Sequence, residues 1–381
     1  MPKLHRKIRY WTIQLTRSSK STGLLLIGCT LLSLLLTNAS FGYAYVHFWE
    51  KEQPSLHQLG LPHNIKDWIN DGLMAVFFLV AGMEIKKEIL LGELSDLKKA
   101  LLPLFAAVGG VLVPAIVFML CNKGTGFQSG WGIPTATDIA FSIGIMSMLG
   151  RRYVPPTLKV FLTALAIIDD LIAILLVAFF YGGAIHWAWL GVALMIVGLL
   201  FLLFKKHPKV GILSIVLGVA LWYSMLQSGI HATIAGVAFS LLIPVKSMHP
   251  VEKRLQKPVN FFIIPIFAVA NTCIAFNIDG STILHSSLFW GITLGLFVGK
   301  VLGISLFSFI LTKLKWASLP SQTSWKQFIG AGILAGIGFT MSIFIASLAF
   351  DVPEWQEIAK IAILAGSFLS MIVGYLWLRL Q

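Results

Sequence analysis

Apolar residues run in long blocks along this 381-residue chain, and polar residues collect in short clusters between them. A helix of about 20 apolar residues crosses a hydrocarbon layer about 30 Å thick. Read between the charge clusters, the pattern predicts twelve spans, near 23–46, 67–85, 100–121, 131–149, 157–181, 187–204, 210–227, 229–244, 259–277, 287–311, 327–350 and 356–378. The link Gln227-Ser228-Gly229 is short enough that spans seven and eight form a hairpin. No ten-residue alternation of the outer-membrane barrel kind is present. The expected fold is all-α: one polytopic integral membrane domain over 1–381, with no separate soluble domain. The longest outer connection, 47–66, has two Gly/Pro sites and mixed charges. It reads equally as a subunit contact or a plain connector.

Two spans depart from the uninterrupted pattern. In span four, Gly130, Gly132 and Pro134 precede the clean apolar run 139–149. That run covers only about 16 Å as a helix, half a bilayer. Span eleven carries Gly330, Gly332, Gly336 and Gly338. Glycine in a membrane helix often serves only packing. Here, however, each interrupted span is the middle one of three, and the two run in opposite senses. This arrangement predicts an inverted repeat, with units about 100–181 and 287–378 and discontinuous helices at spans four and eleven. Gly132, Pro134, Gly336 and Gly338 are the expected breaks. Transporter folds so built, the family named below among them, hold their site where the broken helices meet.

Composition agrees with a membrane protein: 57% hydrophobic, 12% charged, mean hydropathy +0.85. A soluble domain carries about 25% charged residues. A net charge of +13 would suggest nucleic acid in a soluble chain. Its placement says otherwise. With the N-terminus inside, 24 of the 29 Lys and Arg residues fall on the inner side. Only Lys51, Lys66, Lys123 and Lys360 fall outside, and Lys300 lies within a span. The charge is therefore topological, with both termini cytoplasmic and no nucleic-acid partner. The basic start MPKLHRKIRYWTIQLTRSSKS leads into an apolar run too long for a signal peptide, so the first span is expected to be retained. Cys29, Cys121 and Cys273 give neither a disulfide framework nor metal-ligand spacing. With no Walker motif, transport must draw on an ion gradient, and no cofactor is expected.

Four charged residues remain at membrane depth: Asp138, Asp169, Asp170 and Lys300. Asp169 and Asp170 lie roughly 18–20 Å from either end of their span, near the midplane. A charge there costs about 2.5–3.5 kcal/mol even on the lenient insertion scale, so the pair points to a bound and released cation. Lys300 is also central and cannot snorkel out, so it needs a carboxylate partner. It reads as an ion-coupled group or as a structural tie between repeats. Adjacent helical residues diverge by roughly 100°, so the two aspartates cannot both face one partner. Asp170 toward the ion and Asp169 toward Lys300 is the division we favour, although spacing alone does not decide it. Asp138 opens the half-helix of span four. It serves either as an N-cap or as a carboxylate near the cation, with Thr137 supplying a hydroxyl oxygen. Carboxylates, hydroxyls and freed carbonyls are ligands for a hard cation such as Na+. Buried carboxylates also hold protons readily. Competition between H+ and Na+ for the same groups, with alternating access, suffices to couple their movements.

The motifs GWGIPTATDIAFSIG, FLTALAIIDDLIAI, WINDGLMAVFFLVAGMEIKKEIL, GIHATIAGV, GKVLGISLF and AGIGFTMSIFIASLAF resemble the NhaA sodium/proton antiporters of bacteria, from about Asn70 to Phe350. The resemblance implies a twelve-span inner-membrane protein with two discontinuous helices crossing near the midplane. It also implies electrogenic exchange of internal Na+ or Li+ for external H+, in the service of sodium and pH homeostasis. Asp169 and Asp170 match the family's essential carboxylate pair, Asp138 and Thr137 its broken fourth helix, and Lys300 its charged tenth span. The implied Na+ ligands are Asp170, Asp169 and Thr137. The family is activated at alkaline pH through a cytoplasmic cluster, which Glu84, Glu88 and Glu252 match. Lys253 departs from it, standing where many members have a histidine. His231 matches a family histidine, although a lone histidine beside a hairpin also reads as packing. Members commonly form homodimers through the first outer loop, which here shows no clear hairpin sequence. An intramembrane enzyme is excluded, because the run Asp169-Asp170-Leu171-Ile172-Ala173 is not DDxxD and no GxGD element occurs. The remaining alternative is a cation-coupled symporter of an organic solute on the same fold.

Overall fold

A computed structural model of the chain describes residues 21–150, 153–275 and 279–381. The basic tail before Ser21 and the pair Arg151 and Arg152, all counted on the inner side above, lie outside the described residues. No strand occurs among the described residues. The main helices are α1 (Ser21–Thr37), α2 (Gly42–Glu50), α3 (Met74–Leu91), α4 (Leu97–Cys121) and α5 (Ile139–Met148). There follow α6 (Pro156–Phe180), α7 (Trp187–Lys206), α8 (Ile212–Ser228), α9 (Ile234–Leu242), α10 (Val245–Pro258) and α11 (Ile264–Asn271). The last four are α12 (Ser287–Lys313), α13 (Trp325–Ala335), α14 (Phe339–Ala349) and α15 (Pro353–Arg379).

Among the described residues, five of these helices are long and apolar enough to cross a membrane alone, or seven counting each bent pair as one span. The bent pair α13 and α14 turns by 43°. The other corrects the expected continuous span 23–46: α1 ends at Thr37, and the chain turns 114° into α2. The cause is local. Thr37 Oγ1 bonds back to Ser33 O at 2.8 Å, and Asn38 Nδ2 to Leu34 O at 2.9 Å, so these side chains compete with the helix for its own carbonyls. The expected span 229–244 is also shorter as a helix. Gly229 takes a left-handed φ of 81° after α8, and α9 begins only at Ile234.

The described chain divides into two compact units. One holds Asp96–Asp170 and Asn277–Gln381 with the first turns of α1, and the other holds Cys29–Ser95 and Leu171–Phe276. In the first unit α4 and α12 lie backbone to backbone. A Cβ added at Gly109 would meet the carbonyl of Gly303, and one at Gly303 the carbonyl of Gly109. This contact, together with Gly110, lets the aliphatic stem of Lys300 lie against α4. A π-turn over Gly295–Gly299 immediately precedes Lys300. In the second unit Gly82 and Gly236 bring α3 and α9 together. Lys86 Nζ caps the end of α9, donating to Leu241 O at 2.6 Å and Ile243 O at 2.7 Å.

Candidate ion-binding site

Two segments of the first unit change conformation partway along, and the site is built on them. The first runs as a 3-10 turn series over Gly126–Thr135, with Pro134 inside it. It then passes through Ala136 in extended conformation (φ −82°, ψ 153°) and enters α5 at Ile139. The second is α13, then Gly336, Ile337 and Gly338, then α14. Proline has no amide hydrogen to give a continuing helix. Any Cβ at Gly338 would overlap Ser342 and approach Ala136 O. Both interruptions thus follow from the residues that occupy them.

Each interruption leaves backbone groups without helical partners, and in a membrane interior those groups need a protein partner. The two segments supply one another. Asp138 N donates to Ile337 O at 2.7 Å. Thr137 Oγ1 reaches Ala335 O at 2.9 Å, and Ser142 Oγ donates to Leu334 O at 2.8 Å. In the other direction, Ser342 Oγ donates to Ile133 O at 2.8 Å. Asp138 caps α5 by accepting from Phe141 N at 3.1 Å. Its second oxygen accepts from Thr340 N at 3.2 Å and from the Thr340 hydroxyl. Asp138 therefore binds the start of both half-helices, where the helix dipoles favour a negative charge.

Asp169 and Lys300 meet directly beside this crossing. Lys300 Nζ lies 2.6 Å from Asp169 Oδ2, and neither side chain has exposed surface. Lys300 also donates to Thr135 O, a carbonyl at the end of the first segment. Thr137 Oγ1 completes the group, 2.6 Å from the same Asp169 Oδ2. The other oxygen, Asp169 Oδ1, is buried and makes no hydrogen bond among the described residues. Asp170 is buried too, at 6% exposure, and its charge acts on Lys300. The structure thus gathers Asp138, Thr137, Asp169, Asp170 and Lys300 in one unit and pairs the lysine with Asp169. The sequence reading passed over Thr340, Ser142 and Ser342. Thr340 had a signal, two residues beyond the glycine that breaks the second segment.

The residues expected to respond to pH lie in the second unit, and only some of them gather. Glu252 is buried, 3.0 Å from Lys87 Nζ. Both charges act on Glu84, as does Glu88. Glu88 Oε1 also accepts from Glu93 N at 2.8 Å. Lys253, next to Glu252 in the chain, is exposed. His231 lies in the turn between α8 and α9, with Nδ1 2.9 Å from Thr233 Oγ1 and Nε2 3.5 Å from Asp71 Oδ1. Asp71 precedes Glu84 by thirteen helical positions, or roughly 20 Å of rise, so His231 is not part of the glutamate cluster.

The chain matches the family model described as Na+/H+ antiporter 1 over residues 13–378. It is 47% identical over 369 residues to Na(+)/H(+) antiporter NhaA of Cytophaga hutchinsonii, covering 95% of this chain and 93% of that protein. Na(+)/H(+) antiporter NhaA 1 of Flavobacterium johnsoniae is 48% identical over 368 residues, covering 95% and 94%. Na(+)/H(+) antiporter NhaA 1 of Clostridium beijerinckii is 42% identical over 385 residues, covering 98% and 96%.

Proposed function

Because the chain belongs to the NhaA family and is a sodium/proton antiporter, a multi-pass membrane protein, we propose that its exchange runs through Asp169, Asp170, Thr137 and Asp138 at the crossing of the two interrupted segments. The observation that carries this reading is the buried Lys300–Asp169 pair, which leaves Asp169 Oδ1 without a hydrogen bond among the described residues, one residue from Asp170. Na+ takes oxygen from Asp170, Asp169 and Thr137, and the protons on those carboxylates leave as it arrives. When Na+ departs, protons return. Asp138 holds both half-helix starts and supplies compensating charge. Lys300 balances Asp169 while that carboxylate is ionised.

Two carboxylates serving one Na+ give more than one H+ per cycle, and so an electrogenic exchange of internal Na+ or Li+ for external H+. The twelve-span topology, with both termini cytoplasmic in a bacterial inner membrane, belongs to the same proposal, as do the inverted-repeat units 100–181 and 287–378. Activation at alkaline pH is assigned to Glu84, Glu88, Glu252 and Lys87, because these charges act on one another at one end of α3. His231 is left out on its position beside Asp71, and Lys253 on its exposure.

The test uses everted membrane vesicles holding a preformed pH gradient, read with a fluorescent amine. Na+ added at alkaline pH should collapse the gradient, and Asp170→Asn should abolish that response. If Na+ leaves the gradient intact at every pH from neutral to strongly alkaline, the proposal fails.

A further inference from the structure

Ser142 and Ser342 occupy equivalent places in the two interrupted segments. Each closes the first turn of its half-helix through its backbone: Ser142 N bonds Asp138 O at 3.0 Å, and Ser342 N bonds Gly338 O at 3.0 Å. Each side chain is fully buried. Each hydroxyl then crosses to a carbonyl of the opposite segment, Ser142 to Leu334 O and Ser342 to Ile133 O, both at 2.8 Å. A carbonyl can only accept, so both hydroxyl protons are committed. The bonds bracket Thr137, Asp138, Ile337 and Gly338 on two sides. They differ from the carboxylate contacts in carrying no charge, so proton or cation uptake does not remove them.

We propose that Ser142 and Ser342 form a reciprocal hydroxyl clasp that sets the register of the crossing, and that they act as positioning residues for cation affinity. They do not touch the ion. With the clasp closed, the Thr137 oxygen and the Asp138 amide stay aligned on Ala335 O and Ile337 O. If either bond is lost, the two segments slide against each other and the oxygens around Asp169 lose their spacing. The proposal rests on the ion site being at this crossing.

The experiment compares Ser142→Ala, Ser342→Ala and the double variant in everted vesicles, alongside Asp170→Asn. The readouts are apparent Na+ affinity and the pH midpoint of exchange. Each single alanine should weaken apparent Na+ affinity by about three- to tenfold, the factor one buried hydrogen bond is worth. The pH midpoint should move with it. Ser142→Thr, which keeps the hydroxyl, should restore both. The double variant should be little worse than either single, because one open bond already frees the register. Should Ser142→Ala not accumulate in the membrane, Ser142→Cys keeps the volume with a weaker donor and should fall between alanine and wild type. Unchanged affinity and midpoint in both alanine variants, or fully additive losses, would overturn the clasp. Retained Na+ response in Asp170→Asn would instead overturn the site on which it rests.

Discussion

Lys300 has no exposed surface, and its charge is met by one carboxylate oxygen 2.6 Å away. Such a pair gains little over an apolar replacement of both members, but removing one member strands the other. Lys300→Ala should therefore cost about 3–5 kcal/mol of stability. Replacing both residues in Lys300→Met/Asp169→Asn should recover most of that loss. Thermal unfolding in detergent, followed by tryptophan fluorescence, measures both. A double variant as unstable as Lys300→Ala would show that the pair is not what the lysine supplies. At this scale the sequence is informative because depth is legible: a charge amid apolar residues needs a reason. Which aspartate faces the lysine is not legible, since adjacency says only that the two diverge. The choice of Asp169 depends on where the first segment delivers Thr137 and Thr135 O, and that is a property of the folded chain.

At the scale of elements, close approach of helices rests on a few glycines rather than on all of them. Gly303 lies against the carbonyl of Gly109, whereas a Cβ at Gly198, in the middle of α7, would meet nothing within 4 Å. Gly303→Ala should destabilise by about 1–3 kcal/mol through overpacking. Gly198→Ala should be neutral or stabilise by about 0.4–1 kcal/mol. Melting temperatures of the two variants in one detergent compare them, and equal shifts would refute the packing account. Composition cannot separate these residues, because both are glycines in apolar runs. The interruptions were legible for a different reason. Pro134 and the cluster Gly336, Gly338 sit beside clean helical runs, so a break in hydrogen bonding could be inferred from residue type. The partners that satisfy the freed carbonyls could not. Ser142 and Ser342 look like ordinary small residues of a membrane helix until the crossing is built. The bend after α1 had a signal in Thr37-Asn38-Ala39-Ser40, which the long apolar average across 23–46 concealed.

For the whole molecule, the number of crossings fixes the side on which every loop lies. The nine residues of α9 cover only about 14 Å, half a bilayer, so length alone does not take Ile234–Leu242 across. The expected sidedness of Lys and Arg argues for a crossing, because Lys246, Lys253, Arg254 and Lys257 follow it and count with the inner charges on the proposed topology. On that topology the remaining depth falls to the turn at Gly229–Thr233. Parity makes this testable. Ser55 follows one predicted crossing, Lys257 follows eight and Lys313 follows ten. In a variant with Cys29, Cys121 and Cys273 replaced by alanine, single cysteines at these exposed positions can be labelled with a membrane-impermeant maleimide. Intact cells should label Ser55→Cys and spare Lys257→Cys and Lys313→Cys, and everted vesicles should show the reverse. Labelling of Lys257→Cys from outside would make 229–244 a re-entrant segment that enters and leaves on one face. The opposite-sense relation of spans four and eleven, and with it the inverted repeat, would then survive only if a second crossing were also miscounted before span eleven. Lys313→Cys, one pair of spans further on, reports whether it was.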